Sequence, residues 1–562
     1  MRFKLAFKLL KPFEIWLLIF FFIIFILSGS IYGIRLWNKF SIPAPARGGE
    51  VREGVTGEPR FLNPLFSLLN DADQDAVEFI YDGLYEYNNK AELVPSLASG
   101  IETENEGKTV ILNLRSDIFW HDGEKLSPAD VIFTIETIKN PKTRSPLRSL
   151  WQDVKVFQSD GGKIKFEFNE PQGNFLEKLT LKILPEHIWK DVLPENILSV
   201  DIKTHLIGTG PYKFIALKND DQGRITNLDL EINRRYHKNG PFINKVIFYF
   251  YKNENELLDA YSKNIIDSFG GVFSENVDFE KIGSANIRFL KMPRYYAVFL
   301  NPNESKVLNI KEIREALELA IDKTALSRKV FNGKAEAINS VIPENFFKDA
   351  QTPKADFDAE KANQILEKAG WKLNEKTKIR EKKLGKDKEL TVLSFRLMTS
   401  DWPPLRETAR FLEEFWKKIG AKIEIQNFPD AQIQKDFIKP RKYDALIFGE
   451  VLGTIPDFYN FWHSSERKDP GLNLSFYVSK EADKILEELR KIIDNDLRIK
   501  KLNELAQIIN KDKPAIFLFS PDYVYVQRKN ILGFETEKIV VPSKRFSDIE
   551  NWHLKTKRVL KK

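Results

Sequence analysis

The sequence contains no cysteine. Disulfides, zinc–thiolate sites, iron–sulfur clusters and thiol nucleophiles are therefore excluded, and so is a lipid-modified cysteine anchor. Histidine is scarce, with six residues at 121, 187, 205, 237, 463 and 553. No two of them share a metal-binding helical spacing, so no metal site is expected. There is no Gly-Lys-Ser/Thr phosphate loop, which closes that route to ATP chemistry. A Gly-x-Ser-x-Gly elbow and a Ser-x-x-Lys nucleophile in an enzymatic setting are also missing. No cofactor is implied and no enzyme is expected. Carboxylates are plentiful, however, and sequence alone does not pair two of them across a cleft, so a hydrolase stays open as a reading.

An excess of one charge is lacking too: 87 basic residues stand against 80 acidic ones, a net +7. Arg2, Lys4, Lys8 and Lys11 against Glu14 supply a local +3, and no other basic patch stands out. Nucleic-acid binding therefore gets no support. Only one long hydrophobic run is present, residues 15–34, which carries no charge. At about 1.5 Å per residue a helix of that length crosses the roughly 30 Å hydrocarbon layer. The cations before it keep the N-terminus in the cytoplasm and send everything after residue 34 outside. This reading makes residues 1–14 a cytoplasmic basic tail and 15–34 a transmembrane signal anchor. Residues 35–48 become a linker whose SIPAPARGG stretch (41–49) is a semi-rigid spacer. A cleaved signal peptide is the rival, since the small residues Ser28-Gly29-Ser30 follow the run's most apolar part. Either way the body is extracytoplasmic, at the cell membrane or beyond it.

The chain, at 562 residues with 12% aromatics, is too large for one core, and its body is expected to form two or three lobes. Alternating strands and amphipathic helices mix along it, predicting an α/β fold. Val110, Leu112 and Leu114 alternate as in a half-buried strand. Ser127-Pro128-Ala129-Asp130 opens a helix with a hydroxyl cap, an N-terminal proline and an acid three positions on. Asn309 with Glu312 predicts another cap. The clearest βαβ unit runs from a strand at 390–395 through a helix with Leu405, Leu412, Trp416 and Ile419. Gly420 ends that helix and a strand at 422–425 follows. Gly208-Thr209-Gly210 predicts a tight turn with close backbone approach.

Several of these stretches resemble the bacterial extracellular solute-binding proteins of the peptide and nickel type, family 5. They are GEPRFLNP at 57–64, YDGLY at 81–85, LVPSLA at 93–98, LRSDIFWHDG at 114–123 and LSPADVIFT at 126–134. GTGPYK at 208–213, NRRY at 233–236, IREALELAIDK at 313–323 and landmarks at 362–371 and 444–465 follow in order. The resemblance implies a periplasmic-binding-protein-like, two-lobed fold in three domains with a hinge-closing cleft. Domain I would be 48–88, 207–293 and 522–562, domain II 89–206, and domain III 294–521. It implies no covalent chemistry. The protein would be a monomer that captures an oligopeptide or similar solute and passes it to ABC permease subunits. A nickel chelate or an oligosaccharide, or a tethered hydrolase or scaffold, are the other readings. In relatives an acid in the segment matching GEVLGTIPDF (449–458) pairs the peptide's amine. The aligned position here is Leu452, with Glu450 two residues away as a possible substitute. The expected ligand-binding residues are Glu58, Tyr295, Tyr296, Trp402, Glu450 and Phe458. His121 and Asp122 are expected to stabilise their turn.

Overall fold

The computed structural model describes residues 11–271, 285–344, 346–347, 351, 357–385 and 389–561. The first ten residues of the basic tail lie outside that set. The hydrophobic run is helical from Pro12 to Phe40 with none of its residues buried, so the helix outlasts the expected span by six residues. No breaker follows residue 34 until Pro43, and the C-terminal end of the chain holds the extra turns in place. Arg558 donates through Nη2 to the carbonyls of Asn38 and Ser41, both at 3.0 Å, and through Nε to Ser41 Oγ at 2.9 Å. A cation on the last carbonyls of a helix satisfies groups that have no partner in the next turn and complements the helix dipole.

The proline-containing spacer is likewise ordered. Ser41–Ala46 forms a strand paired antiparallel with Lys555–Leu560, in register from Ser41↔Leu560 to Ala46↔Lys555. Composition alone reads as a semi-rigid spacer here and announces no strand, because the partner strand is more than 500 residues away in the chain. Pro43 and Pro45 sit in a two-stranded ribbon with a free edge, where a missing N–H is tolerated.

Beyond the ribbon, a seven-stranded sheet is drawn from three stretches of chain. Glu50–Thr56 lies between Lys245–Tyr251 and Ser268–Gly270, and Tyr523–Arg528 joins from the C-terminal part. One buried charge cluster ties these stretches together. Arg545 Nη2 meets Glu53 Oε1 at 3.0 Å and Asp75 Oδ2 at 2.6 Å, and Arg545 Nη1 meets Asp75 Oδ1 at 2.7 Å. Ser268 and Tyr525 donate to Glu53 from the other two stretches. A four-stranded sheet, Ala98–Glu104, Thr109–Leu114, Ile164–Glu167 and Lys155–Gln158, packs into the same apolar core.

The second lobe is built on a six-stranded sheet that includes Arg294–Leu300, Ala515–Pro521 and Ala445–Val451. Separate apolar cores cover its two faces. The expected βαβ unit is present with its first strand displaced: Ser394–Ser400, not 390–395, is parallel to Lys422–Phe428 and joined to it by the helix Pro403–Lys417, while Thr391–Val392 belongs to a separate three-stranded sheet. Gly420, with φ +81°, lies just past that helix's end. Ser127 and Asp130 form the capping box of Pro128–Lys139. The helix Lys311–Leu319 starts without a side-chain cap. Arg314 instead reaches the carbonyls of Leu308, Asn309, Asp512 and Lys513 at 2.9–3.1 Å, which fastens the helix start to a neighbouring helix end.

Two chain crossings connect the large sheets, and they run side by side. Ala285–Leu290 leads into Arg294–Leu300, and Ala515–Pro521 leads into Tyr523–Arg528. Arg294 bonds the carbonyls of Pro521 and Asp522 at 3.1 and 3.3 Å, and Lys291 pairs with Asp522 at 3.0 Å. Paired crossings of this kind have the form of a hinge.

Candidate functional site

The two lobes meet again away from these crossings, and the space between defines the site. Its spine is the end of the Ala445–Val451 strand and the segment that follows it. This strand pairs along its length with Arg294–Leu300, but its other edge pairs with Ser394–Ser400 only at Ala445 and Leu446. Beyond Leu446, among the described residues, no strand occupies that edge. Its backbone donors and acceptors face the crevice beyond the carboxyl ends of two diverging parallel strands, a favoured place for ligands in α/β sheets.

Three cavities adjoin this spine. The first, about 380 Å³, is lined by Tyr295, Tyr296, Trp402, Asp430, Gly449 and Glu450, among others. The second, about 360 Å³ and mainly apolar, lies between lobes: Leu68, Val77, Leu150 and Trp151 face Val451, Leu452 and Gly453. The third, about 660 Å³, includes Phe346, Thr454, Pro456 and Arg498. Each is within the range of small-ligand pockets.

Four of the six residues expected from sequence come together here. Tyr295 and Glu450 are directly opposed cross-strand partners. Both are buried, and the Tyr295 hydroxyl donates to Glu450 Oε2. Burial pushes the Glu450 carboxyl up to about 8; the Tyr295 hydrogen bond opposes the shift and the Asp457 charge adds to it. Glu450 is therefore largely protonated at neutral pH, and a cationic ligand group entering the cavity would draw it towards ionisation. Tyr296 points to the other face, its ring 5.8 Å from Trp402 and 5.7 Å from Phe519. Gly449, its cross-strand neighbour, has no room for a side chain: a Cβ there would stand 2.7 Å from the Tyr296 ring.

The other two lie elsewhere. Phe458 is 1% exposed and packs in an apolar core of the second lobe. Glu58 is exposed on a loop, where its carboxylate accepts the Ile225 N–H at 3.1 Å. Neither lines the three cavities.

The pattern of single residues did not point to Glu177, which the structure puts at the centre. It comes from the short helix Phe175–Lys178, within the 89–206 stretch, and reaches across the cleft. Its Oε1 accepts from Ile455 N at 2.8 Å and Thr454 Oγ1 at 2.9 Å on the second lobe, and from Tyr87 OH at 2.8 Å. Burial raises its pKa while these donors oppose the rise. A Cβ on Gly453 would come within 2.6 Å of the carboxylate. Further contacts between the same two regions accompany it: Gly173 N–H to Arg490 C=O at 2.8 Å, Arg498 Nη2 to Gly173 C=O at 2.7 Å, and Lys491 to Glu170 at 2.7 Å. The lobes are thus in contact on both sides of the cleft.

His121 and Asp122 act locally, as their position in the turn implies. His121 Nδ1 accepts from Gly208 N at 3.2 Å and its Nε2 lies 3.1 Å from Gly210 C=O, while Asp122 pairs with His187. Burial lowers His121 to about 4, so it stays neutral. Gly208 and Gly210 pack against the Ile80 backbone, where a Cβ would overlap within 1.8 and 2.6 Å. Among the described residues no group of three His, Asp or Glu side chains is placed to hold a metal ion.

Residues 92–471 match the family model described as bacterial extracellular solute-binding proteins, family 5, middle region. The chain belongs to that family. The oligopeptide-binding protein AppA of Bacillus subtilis is 28% identical over 531 residues, 92% of this chain and 93% of its own. The structure of that protein with a nonapeptide superposes with a TM-score of 0.71 at 27% identity, covering 91% of this chain and all of the other. NikZ of Campylobacter jejuni with Ni(L-His) gives 0.71 at 25% identity, over 90% and 99%. The solute-binding fold expected from sequence is therefore the fold of this chain, and its matches run through the cleft-forming parts of both lobes.

Proposed function

We propose that this solute-binding protein encloses an extended oligopeptide between its lobes and delivers it to an ABC-type permease, held at the membrane by the Pro12–Phe40 helix. The observation that carries the peptide reading is the unpaired strand edge after Leu446 beside cavities strung along Gly449–Pro456. A peptide can add to such an edge through its backbone, while successive side chains enter pockets on alternate sides. At about 3.3 Å per residue, the five strand residues Ile447–Val451, unpaired on that edge, offer pairing for a peptide backbone of roughly five residues. The similarity to the peptide-binding AppA supports the same reading.

Opening at the paired crossings would admit ligand, and the Glu177 contacts would form on closing. Nothing in this cycle needs a bond to be made or broken, so the protein binds and does not catalyse. The likeness to NikZ favours one second reading, a metal chelate. Such a ligand would bring its own donors, since no three-residue metal cluster is present among the described residues.

The test is thermal unfolding of the purified full chain in detergent with a nonapeptide library, and separately with nickel and L-histidine. Ligand at a hundred times its dissociation constant adds about 2.7 kcal/mol, a clear rise in Tm. A rise with peptides supports the proposal. A rise with nickel–histidine alone, or with neither, overturns it.

A further inference from the structure

The ribbon that joins the membrane helix to the body carries an unbalanced charge assembled from both ends of the chain. Residues 15–49 and 551–562 contain no Asp or Glu, and they hold Arg35, Lys39, Arg47, Lys555, Lys557, Arg558, Lys561 and Lys562. Antiparallel pairing sets Lys557 opposite Ala44 and Arg558 opposite Pro43, and Lys561 N–H donates to Phe40 C=O at 2.8 Å. None of the described cations here takes part in an ion pair among the described residues, whereas ion pairs are numerous over the body. Arg558 spends its hydrogen bonds on the helix end and keeps its charge.

Position gives the charge a meaning. If residues 15–34 fill the hydrocarbon, the helix from Arg35 to Phe40 rises about 9 Å further at 1.5 Å per residue. That carries it through the headgroup layer of a bilayer roughly 40–45 Å thick in all. Phe40, Ser41 and the paired Leu560–Lys561 then emerge at the outer headgroups. Exposed Trp37, Phe40, Ile42 and Leu560 lie at the same level, the mixture of aromatic and apolar groups that suits an interface.

We infer that this ribbon is a docking surface for the anionic phospholipid headgroups of the outer leaflet, and that it holds the body in a fixed attitude above the membrane. Lys39, Lys557 and Lys561 face phosphate charge without having to leave a carboxylate, and the Arg558 cap makes helix and ribbon one stiff piece. A flexible tether would only confine the body. A docked ribbon also orients the cleft towards a permease in the same membrane. The inference rests on the reading of Pro12–Phe40 as a retained anchor.

Because the chain lacks cysteine, a K376C substitution at an exposed site accepts a single donor dye. The labelled full chain is placed in nanodiscs of phosphatidylcholine, alone or with 30% phosphatidylglycerol, carrying an acceptor on lipid headgroups. The expected result is a narrow transfer-efficiency distribution with phosphatidylglycerol that broadens at least twofold in phosphatidylcholine, in 0.5 M salt, and in the K39Q/K557Q/K561Q variant. These exposed substitutions should leave Tm unchanged. A chain that enters both kinds of disc, with a distribution indifferent to lipid charge and to the variant, overturns this inference alone. A chain that partitions into neither overturns the anchor reading and this inference with it.

Discussion

The carboxylate of Glu177 accepts the backbone N–H of Ile455 at 2.8 Å, from the opposite wall of the cleft. With Thr454 and Tyr87 it gathers three donors on one oxygen, and hydrogen bonds to a charged group contribute about 1.5–3 kcal/mol each when buried. The Ile455 and Thr454 contacts bridge the lobes, while Tyr87 lies on the same side of the cleft as Glu177 and holds its carboxylate in place, so Glu177 acts on the open–closed equilibrium through the two bridging bonds.

Replacing Glu177 by Ala is therefore expected to weaken ligand affinity about 10- to 100-fold, because apparent affinity falls with the fraction of closed, competent protein. The radius of gyration of the liganded variant in small-angle scattering should also shift towards an open form. Unchanged affinity with unchanged dimensions would remove Glu177 from any part in closure. Gly453→Ala should act in the same direction, since its Cβ would crowd the carboxylate.

Much of this was legible in the sequence, and the illegible parts share a cause. The Ser127–Asp130 cap, the βαβ unit around Trp416 and the Gly208–Gly210 turn are local, and spacing or backbone conformation announces them. Tyr295, Tyr296 and Glu450 lie on strands whose edges and ends define the cleft, so the segment they occupy was visible. Glu177 was not, because it matters only through a partner nearly 280 positions away. Phe458 shows the converse: an aromatic in the right segment looks the same whether it faces ligand or core. The basic ribbon is split between residues 35–47 and 555–562, so neither half stands out until the strands pair.

Glu450 predicts a pH dependence. Its folded pKa of about 8 lies above the ordinary value of 4.5. Below about pH 4.5 both folded and unfolded chains hold the proton, and its contribution is fully present. Between 4.5 and 8 the unfolded chain gives up the proton while the folded one retains it, so stability falls by about 1.4 kcal/mol per pH unit. E450Q keeps a neutral side chain of the same shape. Its Tm should match the wild type near pH 4 and exceed it increasingly up to pH 8, by a few kcal/mol in stability. Parallel curves across that range would show that the carboxyl is not held protonated by its burial.

Arg545 offers the sharpest test of how the first lobe is held together. It is 2% exposed, and so nearly are its partners Glu53 at 1% and Asp75 at 2%. Burial raises both carboxyls, Asp75 to about 6; the guanidinium opposes the rise at both, joined at Glu53 by the Ser268 and Tyr525 hydrogen bonds. Removing one partner of a buried ion pair typically costs about 3–5 kcal/mol, since the remaining charge has no compensation. R545A should lose that much near pH 7. The deficit should shrink as pH falls towards 4, because the unfolded chain then also protonates both carboxyls and no longer gains by ionising them. R545K keeps the charge but reaches two carboxylates with a single ammonium, and it should fall between the two. A deficit that stays constant from pH 7 to pH 4 would mean that packing, not charge, is what Arg545 contributes at the junction of the three chain stretches.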